Sequence, residues 1–132
     1  MPAALTKKLT PVLMVESIEP CLEFWVTRLG WTQVAAVPEG GHLGFVILAK
    51  DGTELMYQTW ASVEKDLGRA MPRPRAASVG LFLEVSDIAA IEAQLAGLPR
   101  VVERRRTSYG MDEVGVLEPG GHTVLFAQPV RA

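Results

Sequence analysis

The chain has 132 residues, 48% of them hydrophobic and 21% charged, which are globular proportions and exclude bulk disorder. Area scaling gives roughly 21,000 Å² for the unfolded chain and about 6,800 Å² folded, so about two thirds of the surface is buried and one domain can hold a core without cross-links. One cysteine excludes an internal disulfide framework or a Cys-rich zinc ribbon, and a net charge of −2 argues against nucleic acid as a partner.

No stretch reaches the roughly 18 to 20 uninterrupted apolar residues that span a bilayer. The opening MPAALTKKLT lacks the basic-then-apolar order of a secretion signal. The reading is a soluble cytoplasmic protein with no membrane partner.

Residues 8–15 (KLTPVLMV) read as a strand, with Pro11 marking an edge or an irregular start. Ser17 is placed to cap a helix. Ile18, Cys21, Leu22, Trp25, Val26 and Leu29 then recur at helical spacing, and Gly30 stands where such a helix ends. Residues 31–37 and 42–50 read as strands separated by the turn PEGG. Asp51-Gly52 is a hairpin signal leading into the strand 53–60. Residues 61–77, with Pro72 and Pro74, read as a linker whose first part can form a short helix.

The pattern then restarts. Residues 78–85 read as a strand, and Ser86 or Asp87 caps a helix carrying Ile88, Ile91, Leu95 and Leu98. Strands follow at 100–106, 112–117 and 122–128, the last two joined by EPGG. Leu13-Met14-Val15-Glu16-Ser17-Ile18 matches Leu83-Glu84-Val85-Ser86-Asp87-Ile88 at an offset of 70 residues. This is an internal duplication. It predicts an α+β fold of one domain (1–132). Two tandem βαβββ modules, 8–60 and 78–128, form curved mixed sheets around a cleft.

Three segments carry a family resemblance: PVLMVESIEPCLEFWVTRLGW (11–31), GTELMYQTW (52–60) and YGMDEVGVLEPGGHTVLFAQ (109–128). The chain resembles the glyoxalase, bleomycin-resistance and extradiol-dioxygenase superfamily, also called vicinal oxygen chelate. Glu23-Phe24-Trp25, Arg28-Leu29-Gly30 and Tyr109-Gly110 look most like the bleomycin-binding resistance proteins. Glu118 stands where the family's hairpin has Asp. Metal-dependent members take a ligand from the first and last strand of each module. Carried over, those four positions are Thr10, Glu54, Gly80 and Leu125, the last within one residue. Only Glu54 is a good ligand, and a catalytic zinc site needs about three. No metal or other cofactor is therefore expected.

Strand parity puts Glu54, Met56 and Gln58 on one face, and Leu55 and Tyr57 on the other. If Glu54 faces the cleft, Met56 and Gln58 join it, with Thr10, Val12 and Met14 on the first strand and Gly80 and Phe82 on the fifth. Such a surface is either a small-molecule pocket or a filled sheet interface. The expected ligand-binding residues are His42, Glu54, Met56, Gln58, Trp60, Phe82 and Tyr109. The resemblance places His42 near a pocket-lining aromatic and sets Tyr109 against the ligand. Plainer readings put His42 on the surface and Trp60 under the linker. Trp25 and Trp31 read as core, Cys21 as a buried small hydrophobe, and His122 as a partly exposed strand end.

Arg69, Arg73 and Arg75 lie in the linker. Arg104 to Arg106 alternate across a strand, so they form no single patch. No P-loop, GxGxxG, Gly-x-Ser-x-Gly or CxxC occurs. The resemblance implies a homodimer that sequesters a hydrophobic or aromatic small molecule, such as an antibiotic, without a chemical step. The alternative is a metal-dependent lyase, isomerase or dioxygenase with a rearranged site, Glu54 acting as general base with help from His42. A third reading is a filled cleft acting through a dimer surface.

Overall fold

The apolar alternation of residues 42–60 becomes a sheet with one sealed face and one open face. Burial switches residue by residue along both strands. The computed structural model describes residues 4–70 and 79–130. Strands β1 (Val12–Val15), β2 (Thr32–Glu39), β3 (His42–Lys50) and β4 (Thr53–Thr59) pair in the order β1-β4-β3-β2. Strands β5 (Gly80–Glu84), β6 (Arg100–Arg106), β7 (Met111–Leu117) and β8 (Thr123–Pro129) repeat that order as β5-β8-β7-β6. In each sheet the first and last strands run parallel and the other pairs antiparallel. The result is an α+β fold of two mixed βαβββ sheets, as the 70-residue repeat implies.

Helix α1 (Glu19–Leu22) continues as a π-helical segment, Glu23–Arg28. Its i→i+5 bonding widens the turn. Phe24, which the α-helical spacing leaves out of the stripe, is thereby buried beside Trp25. The rings of Phe24, Trp25 and Trp31 meet edge to face at centroid distances of 5.0 and 4.9 Å. Ser17 does not cap this helix. Ile18 holds the cap position without a side-chain bond, and Ser17 Oγ donates instead to Glu19 Oε1 at 3.4 Å. Asp87 does cap helix α3 (Ile88–Gln94), accepting from the Ala90 amide at 3.1 Å.

The sealed faces of both sheets share one core with these helices. It joins Leu13, Trp25, Val46 and Tyr57 to Ile88, Val114, Val124 and Phe126. Arg28 Nη1 donates to the carbonyls of Gln94 (3.3 Å) and Ala96 (3.0 Å) and so ties α1's extension to the end of α3.

Two boundaries differ in ways that matter for the site. The first strand starts at Val12, not at residue 8; residues 4–11 are irregular up to Pro11, which has no N–H to give a ladder. Trp60 is not the end of a strand but the first residue of helix α2 (Trp60–Leu67), because Thr59 turns the chain and caps it by accepting from Ser62 N at 3.1 Å. That helix fills the start of the expected linker. Residues 71–77, including Pro72, Arg73, Pro74 and Arg75, lie outside the described residues. No helix among the described residues is long and apolar enough to cross a membrane.

Candidate functional site

Where β5 passes the start of β4, the seam between the two sheets leaves two adjoining recesses. One, of about 290 Å³, is lined by Lys8, Leu9, Pro11, Glu54 and neighbours. The other, of about 350 Å³, reaches Lys50, Asp51, Glu84 and Ile91. Trp31, Thr53, Phe82 and Leu83 line both. Together they form a trough with an aromatic middle and charged ends. Its size matches the lower range of small-molecule sites, which begin near about 300 Å³.

Glu54 and Phe82 come from different halves of the chain and meet here. Phe82 is 54% exposed, a large apolar ring left open to an incoming group. Lys8 Nζ donates to Glu54 Oε1 at 2.8 Å. The Asp51-Gly52 turn below them has positive φ at both residues, +49° and +78°, as a tight hairpin requires.

The open face of the first sheet continues from Glu54. Its cross-strand rows are Val12–Met56–Ile47–Ala35 and Met14–Gln58–Phe45–Val37. Met56 therefore shares Glu54's face but stands outside the trough. The Gln58 amide is engaged: Nε2 donates to Ser62 Oγ and Asp66 Oδ2, each at 3.1 Å. Trp60 is half-buried at the head of α2. His42 is exposed at the start of β3, beside Glu19. Glu19 accepts the Leu43 amide at 2.8 Å, and that bond is the main cause holding its carboxyl below the usual range. Tyr109 is exposed in the turn between β6 and β7. The trough thus gathers Glu54 and Phe82 and leaves out His42, Met56, Gln58, Trp60 and Tyr109.

Of the four corner positions, Thr10 precedes β1 and Gly80 pairs with Thr123, whereas Leu125 pairs with Phe82. The residue opposite Gly80 is therefore Thr123, two positions from Leu125. Neither Leu125 nor Gly80 has a donor, and the Glu54 carboxylate already faces an ammonium. These corners do not fit a divalent metal. Among the described residues no three of His, Cys, Asp and Glu come together as ligands.

No family model and no curated protein sequence matches the chain. Solved structures do match. A glyoxalase/bleomycin resistance protein/dioxygenase from Nocardioides superposes with a TM-score of 0.75 at 16% identity, over 99% of this chain and 88% of that one. The fold is that of the glyoxalase/bleomycin resistance/dioxygenase proteins. TnmS3 from Streptomyces sp. CB03234, an antibiotic binding protein, matches at a TM-score of 0.71 and 18% identity, over 97% of this chain and 99% of that one. A lactoylglutathione lyase from Agrobacterium tumefaciens matches at 0.72 and 13%, over 97% and 95%. At such identities the glyoxalase/bleomycin resistance fold is shared by binders and enzymes alike, and does not choose between them.

Two buried carboxylates of this glyoxalase/bleomycin resistance fold lie outside the trough. Glu118, in the β7–β8 turn, is 2% exposed and reaches into the other half of the chain. Tyr57 Oη donates to Glu118 Oε2 and accepts from Trp25 Nε1 at 2.9 Å; Cys21 Sγ donates to the same carboxylate oxygen at 3.6 Å. The His122 amide donates to Oε1 at 2.6 Å. Burial, then the nearby Glu118 charge, pushes the Cys21 thiol up to about 12 and the Tyr57 phenol upward as well. Cys21 is thus buried as expected, but it is a hydrogen-bond donor as well as a core filler.

His122 is not a partly exposed strand end. The turn folds it inward to 6% exposure, with both ring nitrogens free of partners among the described residues.

Glu113 is the second buried carboxylate, on β7. It receives Arg105 Nε and Nη2 at 2.8 and 2.6 Å, and the Tyr109 hydroxyl at 3.0 Å. Arg104 pairs with Glu92 and Arg106 with Asp112. The three arginines therefore serve three separate carboxylates. A clue to the carboxylates was present in the sequence: acidic residues inside apolar strand or turn runs. Glu113 finds Arg105 and Tyr109 within eight residues, whereas the Tyr57 and Cys21 side chains that reach Glu118 are 61 and 97 positions away, too far to be read from the sequence.

Proposed function

We propose that the protein binds a hydrophobic or aromatic small molecule, an antibiotic for example, in the trough between its two sheets and acts by sequestration. One observation carries this reading. The open Phe82 ring and the Glu54 carboxylate face the same recess, and Lys8 already neutralises that carboxylate. A flat apolar body can lie against the open Phe82 ring with large contact area and little entropy cost. Glu54, the general base of the enzyme alternative, is held by the Lys8 ammonium at 2.8 Å. His42, the other proton carrier of the enzyme alternative, lies away from the trough. The antibiotic binding protein TnmS3, alike in fold, supports the same reading.

A homodimer belongs to this proposal. The first sheet's open face carries Val12, Met56, Ile47 and the half-exposed Val37 with little to cover them, and a two-fold partner would shield that surface. Sedimentation at micromolar concentration tests the pairing.

Binding is tested by tryptophan fluorescence, since Trp31 lines the trough. Titration with bleomycin-like and planar aromatic compounds is expected to quench saturably without added metal, and Phe82→Ala is expected to weaken it about tenfold. Glu54→Ala is expected to leave the metal content of the purified protein unchanged. A stoichiometric divalent ion that disappears in Glu54→Ala would overturn the reading in favour of catalysis.

A further inference from the structure

The rim of the trough is unevenly neutralised. It carries three carboxylates, Asp51, Glu54 and Glu84, and two ammonium groups, Lys8 and Lys50. Each lysine is committed: Lys8 to Glu54 at 2.8 Å, and Lys50 to Asp51 at 3.3 Å. Glu84 has no ion-pair or hydrogen-bond partner for its side chain among the described residues. It lies two residues after Phe82 on β5, so strand alternation points its carboxylate to the same side as the open ring. Its row across the second sheet runs through Ala127 and Glu113 to Arg105. The cation of that row is spent on the buried Glu113, which holds it by two bonds. Arg104 and Arg106 are paired with Glu92 and Asp112, and Arg100 donates to the Leu95 and Leu98 carbonyls, so none of the second sheet's arginines pairs with Glu84.

We infer that Glu84 sets the ligand class of the trough: an organic cation, a protonated amine or amidinium, carried on a flat apolar body. The inference rests on the trough being the binding site. The body lies on Phe82. The positive charge sits where the Glu84 carboxylate and the face of the Phe82 ring both attract it. Lys50 lines the same recess and is the natural competitor, because its four-carbon stem can swing from Asp51 toward Glu84. A neutral ligand gains nothing from Glu84, and an anion is repelled by it.

The test uses two tricyclic dyes of one shape, proflavine, which is a cation at neutral pH, and acridone, which is neutral. Fluorescence titration at low ionic strength is expected to show proflavine bound about fivefold more tightly, the size of a partly exposed charge contact, with the preference shrinking as salt rises. Glu84→Gln is expected to bring the two dyes to equal affinity. Lys50→Met is expected to widen the preference, since it removes the competitor. Phe82→Ala is expected to weaken both dyes together. Equal affinity in the unaltered protein, or a preference that survives Glu84→Gln, overturns the charge assignment and leaves the trough as the site. Failure of both dyes to bind overturns the trough itself, and the assignment with it.

Discussion

Replacing Tyr57 by phenylalanine isolates the polar lock between the two halves of the chain. The ring is fully buried, and its hydroxyl alone links Trp25 Nε1 to the Glu118 carboxylate. In Tyr57→Phe the indole N–H loses its acceptor and the carboxylate loses its closest donor, keeping only the Cys21 thiol and the His122 amide. An orphaned buried donor costs about 1–3 kcal/mol, and a lost bond to a charged group about 1.5–3 kcal/mol. The expected loss is therefore about 3–5 kcal/mol, a third or more of the stability of an ordinary domain. For a chain of this length each kcal/mol moves Tm by about 4 °C, so the transition falls by roughly 12–20 °C. Urea unfolding followed by circular dichroism measures it, with the slope unchanged if the transition stays two-state. Glu118→Gln and the double variant complete a cycle, and the double is expected to cost at least about 1 kcal/mol less than the sum. A Tyr57→Phe loss below about 1 kcal/mol, or strict additivity, would show that the lock is not felt in solution.

Three further outcomes follow from the same geometry. A Cβ at Gly120 would stand 2.6 Å from Val15 Cγ1 and 3.0 Å from both Glu118 oxygens, so Gly120→Ala is expected to cost about 1–3 kcal/mol; a neutral result in thermal unfolding would refute that crowding. With its thiol raised to about 12 and buried, Cys21 is expected to react with a disulfide reagent at mildly alkaline pH roughly a thousandfold more slowly than a free thiol, until denaturant is added; prompt labelling of the native protein would contradict it. Glu19 has its folded pKa held below its ordinary 4.5 by the Leu43 amide, so its contribution to stability is present above pH 4.5 and is lost as pH falls through the lower folded value. Glu19→Gln is expected to flatten the acid limb of stability against pH, and an acid limb of unchanged steepness would count against the bond.

Much of the architecture was legible because it is encoded by neighbours. Period-two alternation along 42–50 and 53–59 sorted Glu54, Met56 and Gln58 from Leu55 and Tyr57, and burial follows that sorting. The helical stripe from Ile18 to Leu29 and the 70-residue repeat gave the module, and Trp25 and Trp31 are core as their positions imply. Phe24 escaped because a π-helical turn has no distinctive local spacing. Trp60 reads as strand from the sequence because nothing in its own chemistry announces that Thr59 acts as a cap.

The sequence by itself determined the alternating faces of β3 and β4 and that two like halves must cover one another, since both follow from short patterns along the chain. Only the tertiary structure decided who meets whom. Lys8 finds Glu54 across 46 positions, Tyr57 finds Glu118 across 61, and Cys21 finds the same carboxylate across 97. Those pairings depend on how the two sheets settle against each other. The packing of a whole core sets that arrangement, and no local pattern records it.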